Sequence, residues 1–226
     1  GGVYAFANAN AGVGNKTLQV SGVNVLNGAV GANANYNITY QNNTTSTINP
    51  LAVTISGLTA ADKVYDGTNT AVISGTPTIN GLLGGDTASV NGTITSGTFS
   101  SANAANDIGV SLTFSALTLT NSNYVIVGTT SPLLADITPK PITFTGSASK
   151  VYDGTASLSG VSVSTGVGSE TLLLSNATAN SPNVGSGNFI SSGTLVDGTG
   201  LASNYILPTT LDATTAPFTI TPAPLV

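Results

Sequence analysis

The chain contains no Cys, His, Met or Trp, and only 6% of its 226 residues are charged. Without His and Cys it has no imidazole base, no thiolate nucleophile, no soft-metal site and no disulfide. It also lacks Arg, and its formal net charge of −5 argues against binding nucleic acid, which depends on clustered basic side chains. These absences remove most of the chemistry of catalysis. We therefore expect a structural or binding protein and not an enzyme.

Long apolar runs are missing as well. No stretch approaches the roughly 18 uninterrupted apolar residues of a membrane helix, so we expect no membrane insertion of this part of the chain. The start, Gly-Gly-Val-Tyr-Ala-Phe, lacks the basic segment and long apolar run of a signal peptide. Hydrophobic residues still make up 40% of the sequence, which is enough for a packed core and argues against disorder.

The most informative feature is internal repetition. The string Lys-Val-Tyr-Asp-Gly-Thr occurs at Lys63–Thr68 and again at Lys150–Thr155. Two further markers recur in the same order, namely Asn-Tyr at 35–36, 123–124 and 204–205, and Ile-(Asn/Thr)-Pro at 48–50, 137–139 and 220–222. The markers define a partial repeat at 1–50, full repeats at 51–139 and 140–222, and the start of another unit at 223–226. We expect a piece of a longer array; a frame that begins at residue 1 is the alternative.

The pattern within each repeat is that of β-strands. In Leu51-Ala52-Val53-Thr54-Ile55-Ser56, larger apolar residues alternate with small ones, which places Leu51, Val53 and Ile55 on one face of a strand. Further strands are predicted at 36–40, 112–114, 117–119, 141–145 and 218–221, and the Ala-rich stretch 101–106 is predicted to be a loop. Short strands separated by Gly, Asn and Asp favour an all-β chain of tandem, immunoglobulin-like β-sandwich modules. A β-grasp-like module is the alternative.

The repeated Tyr-Asp-Gly motif is predicted to be a turn, because Gly accepts a positive φ and Asp can bond its own backbone. The residues concerned are Tyr65, Asp66, Gly67, Tyr152, Asp153 and Gly154. We expect the Tyr ring to cover the end of a core, and the preceding Lys to pair with the Asp. The functional alternative makes Tyr65, Asp66, Tyr152 and Asp153 a glycan or cation site.

The other markers have structural interpretations. Tyr36, Tyr124 and Tyr205 each follow an Asn, and we expect them to make corner contacts at strand starts, much as the tyrosine corner of immunoglobulin-like sandwiches does. Asp86 and Glu170 follow Gly-containing loops, where solvated charges are expected. Pro50, Pro139 and Pro222 lie between the last strand of one repeat and the first of the next. Because Pro restricts φ and keeps the preceding residue extended, we expect short, stiff joints and an extended rod.

Catalytic and metal sites find little support. Glycosidases need a pair of carboxylates, but no acidic pair carries a matching motif, and the Gly-rich stretches lack the Gly-Lys-(Ser/Thr) of a phosphate loop. We expect no cofactor. Calcium held by scattered Asp carboxylates and backbone carbonyls is the alternative, since no EF-hand-like run is present.

Lys-Val-Tyr-Asp-Gly-Thr, followed by Gly85-Asp86-Thr87, Asn-Tyr-x-Ile and Ile-Thr-Pro-x-x-Ile, resembles the YDG/MBG-type repeat of very large bacterial surface adhesins. These include filamentous-haemagglutinin-like proteins exported by two-partner secretion. The second full repeat departs from the pattern, with Gly168-Ser169-Glu170 in the loop. The resemblance implies an extracellular location, at a bacterial cell surface or secreted, a role in adhesion or biofilm formation, and no catalytic residues.

Two functions are therefore expected. In the first, the repeats form a stalk or spacer that projects an adhesive domain. In the second, they form a binding module whose partner is extracellular polysaccharide, a host surface or another copy of the adhesin.

Overall fold

A computed structural model describes residues 2–27, 30–31, 36–144 and 148–225. Over these residues the protein consists of β-strands and two single-turn 3-10 helices, with no α-helix. The expectation of an all-β protein is confirmed.

The longest strand has 13 residues, and several have only two. In chain order they are β1 (Val3–Phe6), β2 (Gly12–Ser21), β3 (Leu26–Asn27), β4 (Val30–Gly31), β5 (Asn43–Ile48), β6 (Leu51–Ala60), β7 (Lys63–Val64), β8 (Thr70–Asn80), β9 (Val90–Asn91), β10 (Ser96–Phe99), β11 (Ala105–Ser111), β12 (Thr118–Leu119), β13 (Tyr124–Thr129), β14 (Leu133–Thr138), β15 (Lys140–Pro141), β16 (Ala148–Val151), β17 (Ser157–Leu158), β18 (Val161–Ser164), β19 (Thr171–Ala179), β20 (Gly185–Asp197), β21 (Tyr205–Ile206) and β22 (Pro217–Thr221). The 3-10 turns are Phe114–Ala116 and Ala202–Asn204.

The chain divides into two compact units, and these do not follow the sequence repeats. Unit 1 comprises Gly1–Leu58, Gly75–Ile94 and Leu112–Pro132, and unit 2 comprises Thr59–Ser74, Thr95–Ser111 and Leu133–Val226. The first full repeat, 51–139, therefore contributes residues to both units. Each unit combines segments from two consecutive repeats.

Unit 1 contains the antiparallel sheet β1–β2–β5, which comes from the partial repeat. Its other main pairing is parallel, between β13 and the first half of β6, where Tyr124 is opposite Leu51. Val53 and Ile55 of β6 are buried, as the alternation predicts, but Leu51 at the start of the strand is exposed. The small sheets β9–β12 and β3–β4 complete the unit.

Unit 2 contains two larger sheets. In the first, the strands lie in the order β8–β10–β11–β14–β7, and β7 pairs in parallel with β14. In the second the order is β16–β22–β20–β19–β17, and β18 also pairs with β19. The short parallel pair β15–β21 lies beside them. The largest fully buried side chains of this unit are Phe99, Ile137, Leu172, Ile190, Ile220 and Asn204.

Several predicted strands differ from those observed. Residues 36–40 and 112–114 form no strand, and Phe114 instead begins a 3-10 turn. The strand predicted at 141–145 is reduced to β15, and Thr145 lies outside the described residues. Thr and aromatic residues favour a strand only where the surrounding structure offers a partner strand. A short run of such residues, as at 36–40 and 112–114, does not form a strand by its composition alone. The strands at 51–56 and 218–221 are present. The loop predicted at 101–106 is a loop only over 101–104, because Ala105 and Asn106 begin β11.

Candidate interface between successive repeats

The Tyr-Asp-Gly turn of the first full repeat is held by a lysine. Lys63, on β7, donates from Nζ to Asp66 Oδ1 at 2.7 Å and to the carbonyl oxygen of Thr68 at 2.7 Å. Asp66 Oδ1 also accepts the Thr68 backbone N–H at 2.8 Å, and Gly67 has a φ of +80°. The motif is thus an Asx-type turn closed by an ion pair, as the sequence suggested.

The second full repeat contains the same turn. Lys150 Nζ donates to Asp153 Oδ1 at 2.7 Å and to the carbonyl oxygen of Thr155 at 2.7 Å. The hydrogen bonds from Lys150 and Thr155 lower the pKa of Asp153 to about 2. For Asp66 partial burial raises the pKa, but the hydrogen bonds from Lys63 and Thr68 outweigh it and the pKa is again about 2. Both ion pairs are partly exposed, so water screens the attraction and each pair contributes little to stability.

The two motif tyrosines have different surroundings although their turns agree. Tyr65 is 5% exposed and Tyr152 is 42% exposed. The prediction that the motif ring covers the end of a core therefore holds for Tyr65 and is wrong for Tyr152. The difference arises because side chains of the second full repeat pack against Tyr65, whereas the described residues place none of a later repeat against Tyr152.

Tyr65 belongs to a cluster in unit 2 that joins both full repeats. Its hydroxyl donates to Glu170 Oε1 at 2.9 Å, and the hydroxyl of Tyr205 donates to Glu170 Oε2 at 2.6 Å. The two rings meet edge to face, with centroids 5.3 Å apart. Burial and the hydrogen bonds to Glu170 raise the pKa of both tyrosines. One carboxylate thus holds the motif tyrosine of one repeat against the Asn-Tyr tyrosine of the next.

This cluster corrects the expectation that Glu170 is a solvated loop charge. Asp86 is exposed in its loop, as expected, but it also binds a tyrosine. In unit 1 the hydroxyl of Tyr124 donates to Asp86 Oδ2 and accepts the backbone N–H of Leu83 at 3.1 Å. The hydrogen bond to Asp86, together with burial, raises the pKa of Tyr124. Although the side chains differ in length, Asp86 and Glu170 serve the same purpose, since each accepts the hydroxyl of its own repeat's Asn-Tyr tyrosine. Tyr124 and Tyr205 are both buried at strand starts, as predicted.

The asparagine of the Asn-Tyr marker forms a second link, and sequence reasoning missed it. In unit 2 Asn204, which is 1% exposed, accepts the backbone N–H of Ala104 at Oδ1 (2.8 Å) and donates from Nδ2 to Asn103 Oδ1 (3.1 Å). Ala104 and Asn103 belong to the preceding repeat. The asparagine that recurs before each marker Tyr was the signal available in the sequence.

The same link occurs in unit 1. Asn123 accepts the backbone N–H of Ala11 at Oδ1 (2.7 Å) and donates to Asn10 Oδ1 (3.0 Å). Ala11 and Asn10 belong to the partial repeat. Each described Asn-Tyr asparagine therefore holds an Asn-Ala loop of the repeat before it, through the same two atoms.

The remaining marker residues lie as follows. Tyr36 is exposed and outside any strand, so the prediction that it lies at a strand start is wrong, and Asn35 before it lies outside the described residues. Pro50 lies between β5 and β6, Pro139 lies between β14 and β15, and Pro222 follows β22. Pro50 and Pro139 thus lie between consecutive strands of neighbouring repeats, as predicted.

Within the described residues, no three acidic side chains come together in a way that could hold a metal ion. In the same part of the chain, no helix has the length and apolar character needed to span a bilayer. The arrangement described above binds one repeat to the next through hydrogen bonds and aromatic packing.

The comparison with known families finds two matches to one family. The YDG domain matches residues 49–132 and 138–215, well over half of the chain. The chain belongs to the YDG domain family. No curated protein and no solved structure matches it.

The Tyr-Asp-Gly motif of the YDG domain has two roles in this chain. Its Asp-Gly part closes a turn within its own domain, while its Tyr, in the case of Tyr65, enters the core of the following domain. The Asn-Tyr marker and the acidic loop residue of that following domain receive it.

Proposed function

We propose that these YDG domains are structural spacer repeats of a bacterial cell-surface adhesin, which project an adhesive domain and so support adhesion or biofilm formation. The observation that carries this proposal is the shared cluster of Tyr65, Glu170 and Tyr205. A spacer needs consecutive repeats that resist bending, and a half-buried carboxylate that binds tyrosines of two repeats supports such coupling.

The joint itself supports the same function. Only Pro139 separates β14 from β15, and its ring restricts φ to about −65°. The hydrogen bond between Asn204 and the backbone of Ala104 adds a second contact between the two repeats, besides the joint at Pro139. We propose that the domains are small immunoglobulin-like sandwiches arranged in an extended rod; a β-grasp-like module is the alternative.

The family resemblance and the composition support a proposal for the location. We propose an extracellular position, at the bacterial surface or secreted, after two-partner export. A chain without Cys cannot form premature disulfides during export, and a surface of Thr, Ser and Asn with few charges suits an inert stalk. In this proposal the domains carry no catalytic residues and bind no nucleic acid.

Small-angle X-ray scattering of the whole chain tests the spacer proposal. We expect a distance distribution with a long tail, typical of an elongated particle. The variant Glu170→Ala should populate additional, bent shapes. A compact particle without a long axis would refute the rod.

A second function is favoured by the exposure of Tyr152, which lies beside the Lys150–Asp153 ion pair. An exposed Tyr ring can stack on a sugar, so a domain of this kind could bind extracellular polysaccharide. Titration with the exopolysaccharide of the producing bacterium tests it. Tyr152→Ala should abolish binding, whereas Tyr65→Ala, the control, should lower stability and leave the affinity of the folded fraction unchanged.

A further inference from the structure

One surface of the second full repeat is defined by Tyr152, Gly154, Asn183 and Val184, and we refer to it as the Tyr152 face. All four residues are exposed, and Val184 is 50% exposed. Within the described residues, nothing is hydrogen-bonded to the Tyr152 hydroxyl or to the backbone N–H of Val184. The face therefore combines an apolar ring, an apolar branched side chain and unpaired donors.

Each residue of this face has a counterpart one repeat earlier. Tyr152 and Gly154 correspond to Tyr65 and Gly67 through the identical Lys-Val-Tyr-Asp-Gly-Thr string. Asn183 and Val184 correspond to Asn103 and Ala104 through a shared local hydrogen bond. The backbone N–H of Asn183 donates to Ser181 Oγ at 3.1 Å, and that of Asn103 donates to Ser101 Oγ at 3.1 Å.

The counterparts are covered, and what covers them is a YDG domain. The Tyr65 hydroxyl binds Glu170, and the Ala104 N–H binds Asn204. At Gly67 a Cβ atom would lie 2.8 Å from Val167 Cγ1, whereas at Gly154 it would meet nothing within 4 Å. Three independent contacts are thus made at one end of the first full repeat. At the equivalent end of the second full repeat, the corresponding groups make none of these contacts within the described residues.

We propose that the Tyr152 face is a docking site for a further YDG domain. The partner would supply a loop carboxylate to the Tyr152 hydroxyl, an Asn-Tyr asparagine to the Val184 N–H and the Asn183 amide, and a small apolar side chain to Gly154. The choice of partner follows from the preceding joint, where a YDG domain makes these contacts on the matching residues. The inference deepens the spacer proposal, because it names the face through which the row of domains continues.

A longer chain tests the proposal. In this chain, a second copy of residues 140–226 follows directly after Pro222. Hydrogen exchange of the Val184 amide, followed by NMR, is the readout, and the Ala104 amide is the internal reference. We expect the Val184 amide to exchange at least tenfold more slowly in the longer chain than in the original one. Nitration of Tyr152 by tetranitromethane should slow in parallel.

The matched control is the same longer chain with Glu170→Gln and Asn204→Ala in the appended copy only. We expect the protection of Val184 to be lost there, while the Ala104 amide stays protected. An appended domain that folds without slowing exchange at Val184 would overturn the proposal. So would an appended domain that stays unfolded, since an identical sequence on a matching face should fold. Neither result would alter the scattering of the original chain, which tests the spacer function separately.

Discussion

The carboxylate of Glu170 offers the most direct perturbation of the joint. It accepts hydroxyl hydrogen bonds from Tyr65 at 2.9 Å and from Tyr205 at 2.6 Å, and both tyrosines are buried. Glu170→Ala would leave two buried hydroxyls without their acceptor. We expect this change to destabilise unit 2 more than a substitution of any other acidic residue in it.

The magnitude follows from the hydrogen bonds that are lost. A hydrogen bond to a charged group contributes about 1.5–3 kcal/mol. Because Glu170 is only half-buried, water can replace part of the interaction, and the lower end of the range applies to each bond. The expected loss is therefore about 3 kcal/mol. For Glu170→Gln we expect about half of that, since the amide oxygen still accepts one hydroxyl.

Urea denaturation followed by circular dichroism and tyrosine fluorescence measures this loss. A double-mutant cycle with Tyr65→Phe isolates the contact between the repeats. Tyr65→Phe should cost about 1.5 kcal/mol in the original chain and close to nothing in the Glu170→Ala background. Tyr152→Phe is the matched control, because that hydroxyl lies on the surface, and it should change stability by less than about 0.5 kcal/mol.

Two outcomes would refute the reasoning. In the first, Glu170→Ala changes the free energy of unfolding by less than about 0.5 kcal/mol, which is the range of ordinary surface substitutions. In the second, Tyr65→Phe has the same cost with and without Glu170. Either result would mean that the hydroxyls and the carboxylate do not bind each other in solution.

Three further predictions use the remaining contacts. Gly67→Ala should destabilise the protein by about 1 kcal/mol more than Gly154→Ala in urea denaturation, because both strain a positive φ but only the first crowds Val167; equal costs would contradict this. Asn204→Ala should cost about 2 kcal/mol and speed exchange of the amide that it binds, as hydrogen-exchange mass spectrometry would show, whereas unchanged exchange would contradict the link. The pKa of Asp66 and of Asp153 is about 2 in the folded protein, below the unfolded value of 3.8. The stabilisation from these two carboxylates is therefore present above pH 4 and is lost as the pH falls towards 2. A thermal midpoint that rises on acidification would contradict this prediction.

Local features of the fold could be predicted from the sequence. The alternation in β6 places Val53 and Ile55 inward, and both are buried. The Asp-Gly turns and their lysine partners also follow from residue type and spacing. These predictions succeed because they depend on neighbours within a few residues, whose geometry the local sequence largely determines.

The boundaries of the compact units could not be predicted in the same way. The repeat markers divide the chain at Pro50 and Pro139, whereas the units divide β6 and β8 near Gly57 and Gly75. Both glycines have positive φ, and a Cβ on Gly75 would lie 2.1 Å from the carbonyl oxygen of Gly57. A period in the sequence reveals the length of the repeat and not which halves of adjacent repeats pack together.

The candidate site was missed for a related reason. Glu170 and Asp86 look like loop charges because their partners lie far away along the chain, in the case of Tyr65 in the preceding repeat. Asn204 does not stand out in the sequence because Asn is common there, and its burial is visible only in the structure. The recurrence of Asn-Tyr marks these residues, but it does not show which distant residues they contact.

The central claim is that the folding unit combines parts of two repeats, and native-state hydrogen exchange in low urea tests it most directly. The account predicts that amides around Phe99 and Ile137, in the first full repeat, open together with those around Leu172 in the second, and that Glu170→Ala lowers the opening free energy of all three. If Phe99 and Ile137 instead opened together with Ile55, and Glu170→Ala affected the second full repeat alone, each repeat would fold by itself and the claim would be contradicted.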